Sequence, residues 1–171
     1  PTVAAYLVAY ILFVPCIRSL GIDALTANMF IFYFGIMAQI TPPVCVASYT
    51  AAGIAGADAM KTGLKGFTFA LVGFIAPFVF VYNPAVLLEG TVPEIILGAA
   101  QMLAGTYMLA IVVAGYFRTN LRWFERIILL AAAIGMIAPE IISSIAGLVV
   151  GAALLFINFE RSKKEAKTLA A

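Results

Sequence analysis

Gln39-Ile40-Thr41-Pro42-Pro43 lies deep within an otherwise apolar run, residues 24–56. At about 1.5 Å per residue, a helix over that run is far longer than a ~30 Å hydrocarbon core requires. Neither proline has a backbone N–H, so the carbonyls of Ala38 and Gln39 lose their helical partners. The run therefore reads as two half-helices joined by a break. In lipid an unsatisfied carbonyl is costly, and irregular backbone is tolerated where protein buries it or where it lines a polar cavity. Thr41 is placed to cap the second half-helix, with Pro42 at its first position. That half-helix then aims its positive end at the membrane interior. The carbonyls of Ala38 and Gln39 beside the Thr41 hydroxyl suit a hard cation such as Na⁺, and a helix N-terminus suits a carboxylate. Secondary transporters with broken helices are built in this way. The bland alternative is a kinked helix whose carbonyls are satisfied by neighbouring Ser or Thr, and a tandem Thr-Pro-Pro weighs against it.

Composition sets the surroundings of that break. Hydrophobic residues make up 64% of the chain and charged residues 11%, and the mean hydropathy is +1.11. A soluble domain carries roughly a quarter charged residues, and a chain this short could not hide so much apolar surface in one core. The excess faces lipid or other helices, which predicts an all-α integral membrane protein. The net charge of +2 forms no basic stripe, so nucleic acid is not expected as a partner. There is no histidine. Cys16 and Cys45 lie apart in apolar runs and read as small fillers. The start at Pro1, without a basic leader, reads as a chain cut from a longer polypeptide.

Further apolar runs cover residues 2–20, 66–82, 95–117 and 127–159. Residues 57–65 read as an interfacial turn, and Pro77 is expected to kink the run that follows. The last run is interrupted by Pro139-Glu140, and proline with a carboxylate at that depth favours two short helices over one tilted helix. Charge agrees. Lys61 and Lys65 share one loop, Arg118, Arg122 and Arg126 another, and Arg161, Lys163, Lys164 and Lys167 the tail. With two final helices these basic loops fall on one face, which the positive-inside rule makes cytoplasmic, Arg18 on the outer face being the one exception. The C-terminus is then cytoplasmic, and the tail 160–171 is expected to fray.

Four runs in order look familiar: Phe32-Tyr33-Phe34-Gly35, Ile40-Thr41-Pro42-Pro43-Val44, Ala51-Ala52-Gly53-Ile54-Ala55-Gly56-Ala57-Asp58 and Phe78-Val79-Phe80-Val81-Tyr82-Asn83-Pro84-Ala85. Together they resemble the large permease subunit of tripartite ATP-independent periplasmic (TRAP) transporters, closest to the form in which small and large membrane subunits share one chain. The likeness covers about residues 1–90. Residues 91–159 resemble more loosely a helical extension of some fused members. The resemblance implies a bacterial or archaeal inner-membrane permease, multi-pass, with inverted repeats and elevator-type motion. It implies import of organic acids on a Na⁺ gradient, with substrate delivered by a periplasmic substrate-binding protein. Pro1-Thr2 would be the remnant of a re-entrant hairpin tip, residues 2–20 its outgoing arm, and residues 24–56 the broken helix facing it. Site residues would be Thr2, Thr41, Pro42, Pro43 and Ser48 for substrate, and Ala38, Gln39 and Thr41 for Na⁺. The first repeat and the small-subunit helices of the permease would be further partners, and without them this stretch is not expected to transport.

Asp23, Asp58 and Glu140 sit near helix ends, where acids cap or stay solvated. Asn28 lies one turn into the broken helix, and Asn83 precedes Pro84 as a turn residue. The hydroxyls of Ser48, Tyr49 and Thr50 are available for bonds back along their helix. The small residues at 51–56 permit close helix approach, and Tyr116 and Trp123 read as interfacial anchors. No cofactor is expected, and no enzyme either, since no nucleophile has a base and no acids pair at depth. The alternative to a transporter is a non-transporting membrane scaffold or assembly subunit in which the break only bends a helix.

Overall fold

The computed structural model describes residues 2–138 and 140–169, with side chains through Lys163. Pro1 and Pro139, and the side chains of Lys164 and Lys167, lie outside the described residues. The chain divides into two compact units, Pro1–Thr91 and Val92–Ala171. The described residues are all-α in both units, apart from one isolated bridge between Tyr116 and Asn120.

The first unit opens with α1 (Thr2–Ser19), 18 residues apolar on every side with Val14 alone buried. A helix hydrophobic all round belongs in a core or in lipid. Gly21 takes a φ of +86° after it, and Asp23 then starts α2 (Ala24–Met37). The Asp23 carboxylate accepts from the amides of Leu25 at 2.7 Å and Thr26 at 3.2 Å, two donors a helix start leaves without partners. The Thr26 side chain, with the amides of Thr26 and Leu25, holds that carboxyl below its usual value of 3.8 against the opposing effect of burial. Val14, Ala27 and Ile31 form the core between the two helices, flanked by Tyr6, Ala9 and Ile17. Gly35 brings α1 close: a Cβ there would lie 3.6 Å from that of Tyr6.

Beyond the break, α3 (Val46–Ala55) ends at Gly56 with φ +64°. Asp58 caps α4 (Ala59–Ala70), accepting from the Lys61 amide at 2.7 Å. The third span therefore begins at Ala59. Residues 57–65 are a cap and two turns of helix, because the Asp58 side chain satisfies an amide that would otherwise need water. The span continues through a 3-10 turn, Leu71–Ile75, into α5 (Ala76–Tyr82). The Pro77 kink takes the form of that turn: proline withholds its N–H, and the Ala76 amide bonds Gly73 instead. Asn83 ends α5, and a further 3-10 turn, Pro84–Leu87, follows. The rings of Phe30 and Phe34 stand edge-on to Phe78, fixing α2 against α5.

Within the 51–56 run Ala52 is buried, 1% exposed, and the tight contacts of α3 with α4 also involve glycines of α4. Gly53 and Gly56 have open space where a Cβ would be, whereas Gly63 and Gly66 of α4 receive Cys45, Tyr49 and Ser48. The glycines at 53 and 56 lie away from the contact, so their small size brings nothing nearer.

In the second unit α6 (Val92–Ala114) is followed by α7 (Trp123–Ile137) and α8 (Ile141–Leu169). The last apolar run is a hairpin of two helices. A Cβ at Gly147 would sit 2.8 Å from the Met136 amide nitrogen, so α8 lies directly on the α7 backbone. Ser144 Oγ donates to the carbonyls of Ala138 at 3.0 Å and Met136 at 3.2 Å, occupying acceptors that the end of α7 leaves free. At the other end Arg161 reaches Glu125 at 2.5 Å. The buried Asn158 receives the amides of Arg118 and Thr119, both at 3.2 Å, and donates to the Thr119 hydroxyl at 3.0 Å. α8 runs through Leu169, into the tail expected at 160–171, of which Ala170 and Ala171 lie outside the described residues. Trp123 and Tyr116 are exposed, 74% and 55%.

Four helical stretches among the described residues are long and apolar enough to cross a membrane: Thr2–Ser19, Ala59–Tyr82, Val92–Ala114 and Ile141–Lys163. Most of their large apolar side chains are exposed, as expected of surfaces meeting lipid or further protein.

Candidate functional site

The break between α2 and α3 holds most of the residues singled out from the sequence. α2 stops at Met37, and a 3-10 turn covers Ala38–Ile40. Its tighter bonding passes carbonyls to amides three residues on, taking over part of what the prolines cannot supply. Thr41 is extended, φ −100° and ψ 121°, the conformation forced on a residue before proline. The Pro42–Pro43 peptide is cis. The Cys45 amide donates to the Thr41 carbonyl at 3.1 Å, closing a turn around both prolines. Cys45 itself is left-handed, φ 38°, and buried.

The expectation that Thr41 caps α3, with Pro42 at its first position, is therefore corrected. The Thr41 hydroxyl donates backward to the Met37 carbonyl at 2.7 Å, and α3 begins only at Val46 with Cys45 in the cap position, so its first amides lie too far along the chain for Thr41 to cap. Cys45 precedes α3 and offers no side-chain cap, so the first amides of α3 lack a side-chain partner there. The Tyr49 hydroxyl reaches back to the Pro43 carbonyl at 3.2 Å, and Thr50 bonds the Val46 carbonyl at 2.9 Å. Ser48 is turned toward α4, its Oγ against Gly66.

Two predicted residues from distant positions do meet. The Gln39 side-chain amide donates to the Thr2 hydroxyl, joining the start of α1 to the 3-10 turn of the break. Ala38, Gln39, Thr41 and Pro42 are half-buried, and Pro43 is exposed. A second irregular segment lies alongside: Gly73, in the turn between α4 and α5, leaves room for the end of Met37. Two helix interruptions thus adjoin within one unit. Tyr6 also donates to Asn28 Oδ1 at 3.3 Å, so Asn28 couples α1 to α2. Sequence reasoning passed over Tyr6 as a partner for Asn28 and Tyr49 as a partner for Pro43. Polar side chains one helical turn from a break or a small residue were the available signal.

The donors gathered at the break are hydroxyls, an amide and backbone carbonyls. No group of three or more His, Cys, Asp or Glu side chains able to hold a metal occurs among the described residues. Uncharged oxygen donors of this kind suit a hard cation better than a transition metal, which prefers imidazole or thiolate.

Apolar spans, adjoining interruptions and polar groups confined to those interruptions define a multi-pass α-helical membrane protein of the permease class. Residues 1–95 match the family described as Tripartite ATP-independent periplasmic transporter, DctM component, and the chain belongs to that family. The match covers the first unit and the first residues of α6. Comparison with curated proteins and with solved structures gave no match. The family is one of TRAP-type secondary transporter permeases, which work with a periplasmic binding protein.

Proposed function

We propose that the chain forms part of a Na⁺-coupled permease that imports organic acids handed over by a periplasmic binding protein. The observation that carries this reading is the Gln39–Thr2 bond, which brings a second helix end to the interrupted backbone at Ala38–Pro43. Na⁺ is the coupling ion. Its ligands are drawn from the backbone oxygens at Ala38 and Gln39, with the hydroxyls of Thr2 and Thr41 alongside. The uncapped start of α3 supplies amides for the substrate carboxylate, a helix N-terminus being a ready anion site. The basic loops lie on the cytoplasmic face and the C-terminus with them.

Radiolabelled organic-acid uptake into proteoliposomes, with and without a Na⁺ gradient and the binding protein, tests this directly. Uptake should require both. Thr41→Ala and Pro42→Ala should reduce it well beyond any loss of folded protein. Uptake unchanged in both variants would remove the break from the mechanism and leave a bent helix in an assembly subunit.

A further inference from the structure

The second unit carries an open groove of about 390 Å³, with Leu97, Ile145 and Leu148 half exposed along it. Its walls come from α6, the end of α7 and the first turns of α8, chiefly Leu97, Ala104, Ile145 and Leu148. Two polar side chains, Gln101 and Ser144, also line it, and no ionisable one does. Gln101 is 8% exposed and lies near the middle of α6. Its amide forms no hydrogen bond with any described residue. Ser144 is 5% exposed, and its proton is committed to the carbonyls of Met136 and Ala138.

The Gln101 amide opens onto the groove, and an amide with no partner in apolar surroundings carries a desolvation penalty. At the middle of a span there is no bulk water to relieve it. The groups present therefore select among occupants. Water alone is a poor filler, since each molecule needs two to four polar partners and only Gln101 and Ser144 are polar along the groove. A charged head would be stripped of solvent with nothing of opposite sign to meet it. A plain hydrocarbon would satisfy the walls and leave the amide unpaired. We propose that this groove binds a neutral lipophilic molecule carrying one hydroxyl or carbonyl oxygen, which hydrogen-bonds the Gln101 amide while its apolar body fills the space between α6 and α8. Volume supports the assignment, since ligand pockets run from about 300 to 1,000 Å³ and are mostly apolar with a few placed polar groups. The site lies outside the unit that holds the broken helix, and it does not depend on the coupling ion.

Photolabelling of the whole polypeptide in lipid nanodiscs tests it, with a long-chain alcohol bearing an alkyl diazirine and the matching diazirine alkane as probes. The alcohol should label peptides within 97–104 or 141–148 saturably, and unlabelled octadecanol should displace it. The alkane should label them about three- to tenfold less, the range of one neutral hydrogen bond. Gln101→Leu keeps the shape and should bring the alcohol down to the alkane's level. Ala104→Phe fills the space and should abolish labelling by both. Equal labelling by the two probes, absent or non-saturable labelling by the alcohol, or an unchanged signal in Gln101→Leu would each overturn the assignment. Should Gln101→Leu fail to fold, the alcohol–alkane comparison on the unaltered protein decides alone.

Discussion

The Gln39 amide donates to the Thr2 hydroxyl across 37 positions of sequence, so the start of α1 is tied to the irregular backbone that ends α2. Under the proposed function this contact sets the geometry of the ion's oxygen ligands. Gln39→Ala or Thr2→Ala should raise the Na⁺ concentration for half-maximal uptake about three- to tenfold, the range of one hydrogen bond. The double variant should be no worse than Thr2→Ala, because Gln39→Ala removes only the bond that Thr2→Ala also removes. Fully additive effects would show that the two residues act separately.

Glu125 and Arg161 join the two arms of the hairpin at 2.5 Å, with side chains 9% and 26% exposed. Such a pair is costly to break from one side, because the remaining charge stays poorly solvated. Glu125→Leu should destabilise the protein by about 1–3 kcal/mol, less than a fully buried pair because Arg161 retains some solvent. Glu125→Leu with Arg161→Leu should cost less than Glu125→Leu alone. Thermal unfolding in detergent reads both, and a double variant as unstable as the sum of the singles would contradict the pairing.

Two glycines distinguish crowded from open helix faces. A Cβ at Gly147 would press on the α7 backbone at Ala132 and Met136, whereas at Gly53 it would meet nothing within 4 Å. Gly147→Ala should lower stability by about 1–3 kcal/mol through overpacking. Gly53→Ala should raise it by about 0.5–1 kcal/mol, since alanine is the better helix former. Equal melting temperatures for the two variants would mean that α8 does not rest on α7 as described.

The Asp23 cap gives a pH signature. The Thr26 side chain and the amides around it lower the folded-state pKa beneath 3.8. A depressed carboxylate contributes stability that is fully present above its unfolded value and is lost as pH falls through the folded one. Asp23→Ala should therefore cost about 1 kcal/mol at neutral pH. The difference from the unaltered protein should close as pH drops below 3.8. A gap of constant size down to strongly acidic pH would assign the effect to something other than the carboxylate.

Much of the fold was legible because its causes are local. Asp23 and Asp58 begin helices through amides two or three positions on. Pro42 and Pro43 end one through a missing N–H and a crowded carbonyl. Pro77 was equally visible, but the 3-10 turn before it depends on Gly73 accommodating Met37 from another helix. Thr41 shows the limit most clearly. Its position before tandem prolines suggested a forward cap, and its hydroxyl instead turned back to Met37. Either bond is short-range, and only the path of the chain through both prolines chooses between them. Gln101 could have been noticed as a lone amide within an apolar span, but its significance rests on the groove between α6 and α8.

The sequence by itself determined that this chain lives in a membrane, that Asp23 starts a helix and where the helical run after it breaks. Apolar excess, proline and capping acids act through their own backbone or through solvent, so they need no distant partner. Tertiary structure alone decided which oxygens at the break are already bonded, which glycines carry close contact, and which buried amide is left facing a groove. Those outcomes are set by distances between segments far apart in the chain, and residue spacing holds no record of such distances.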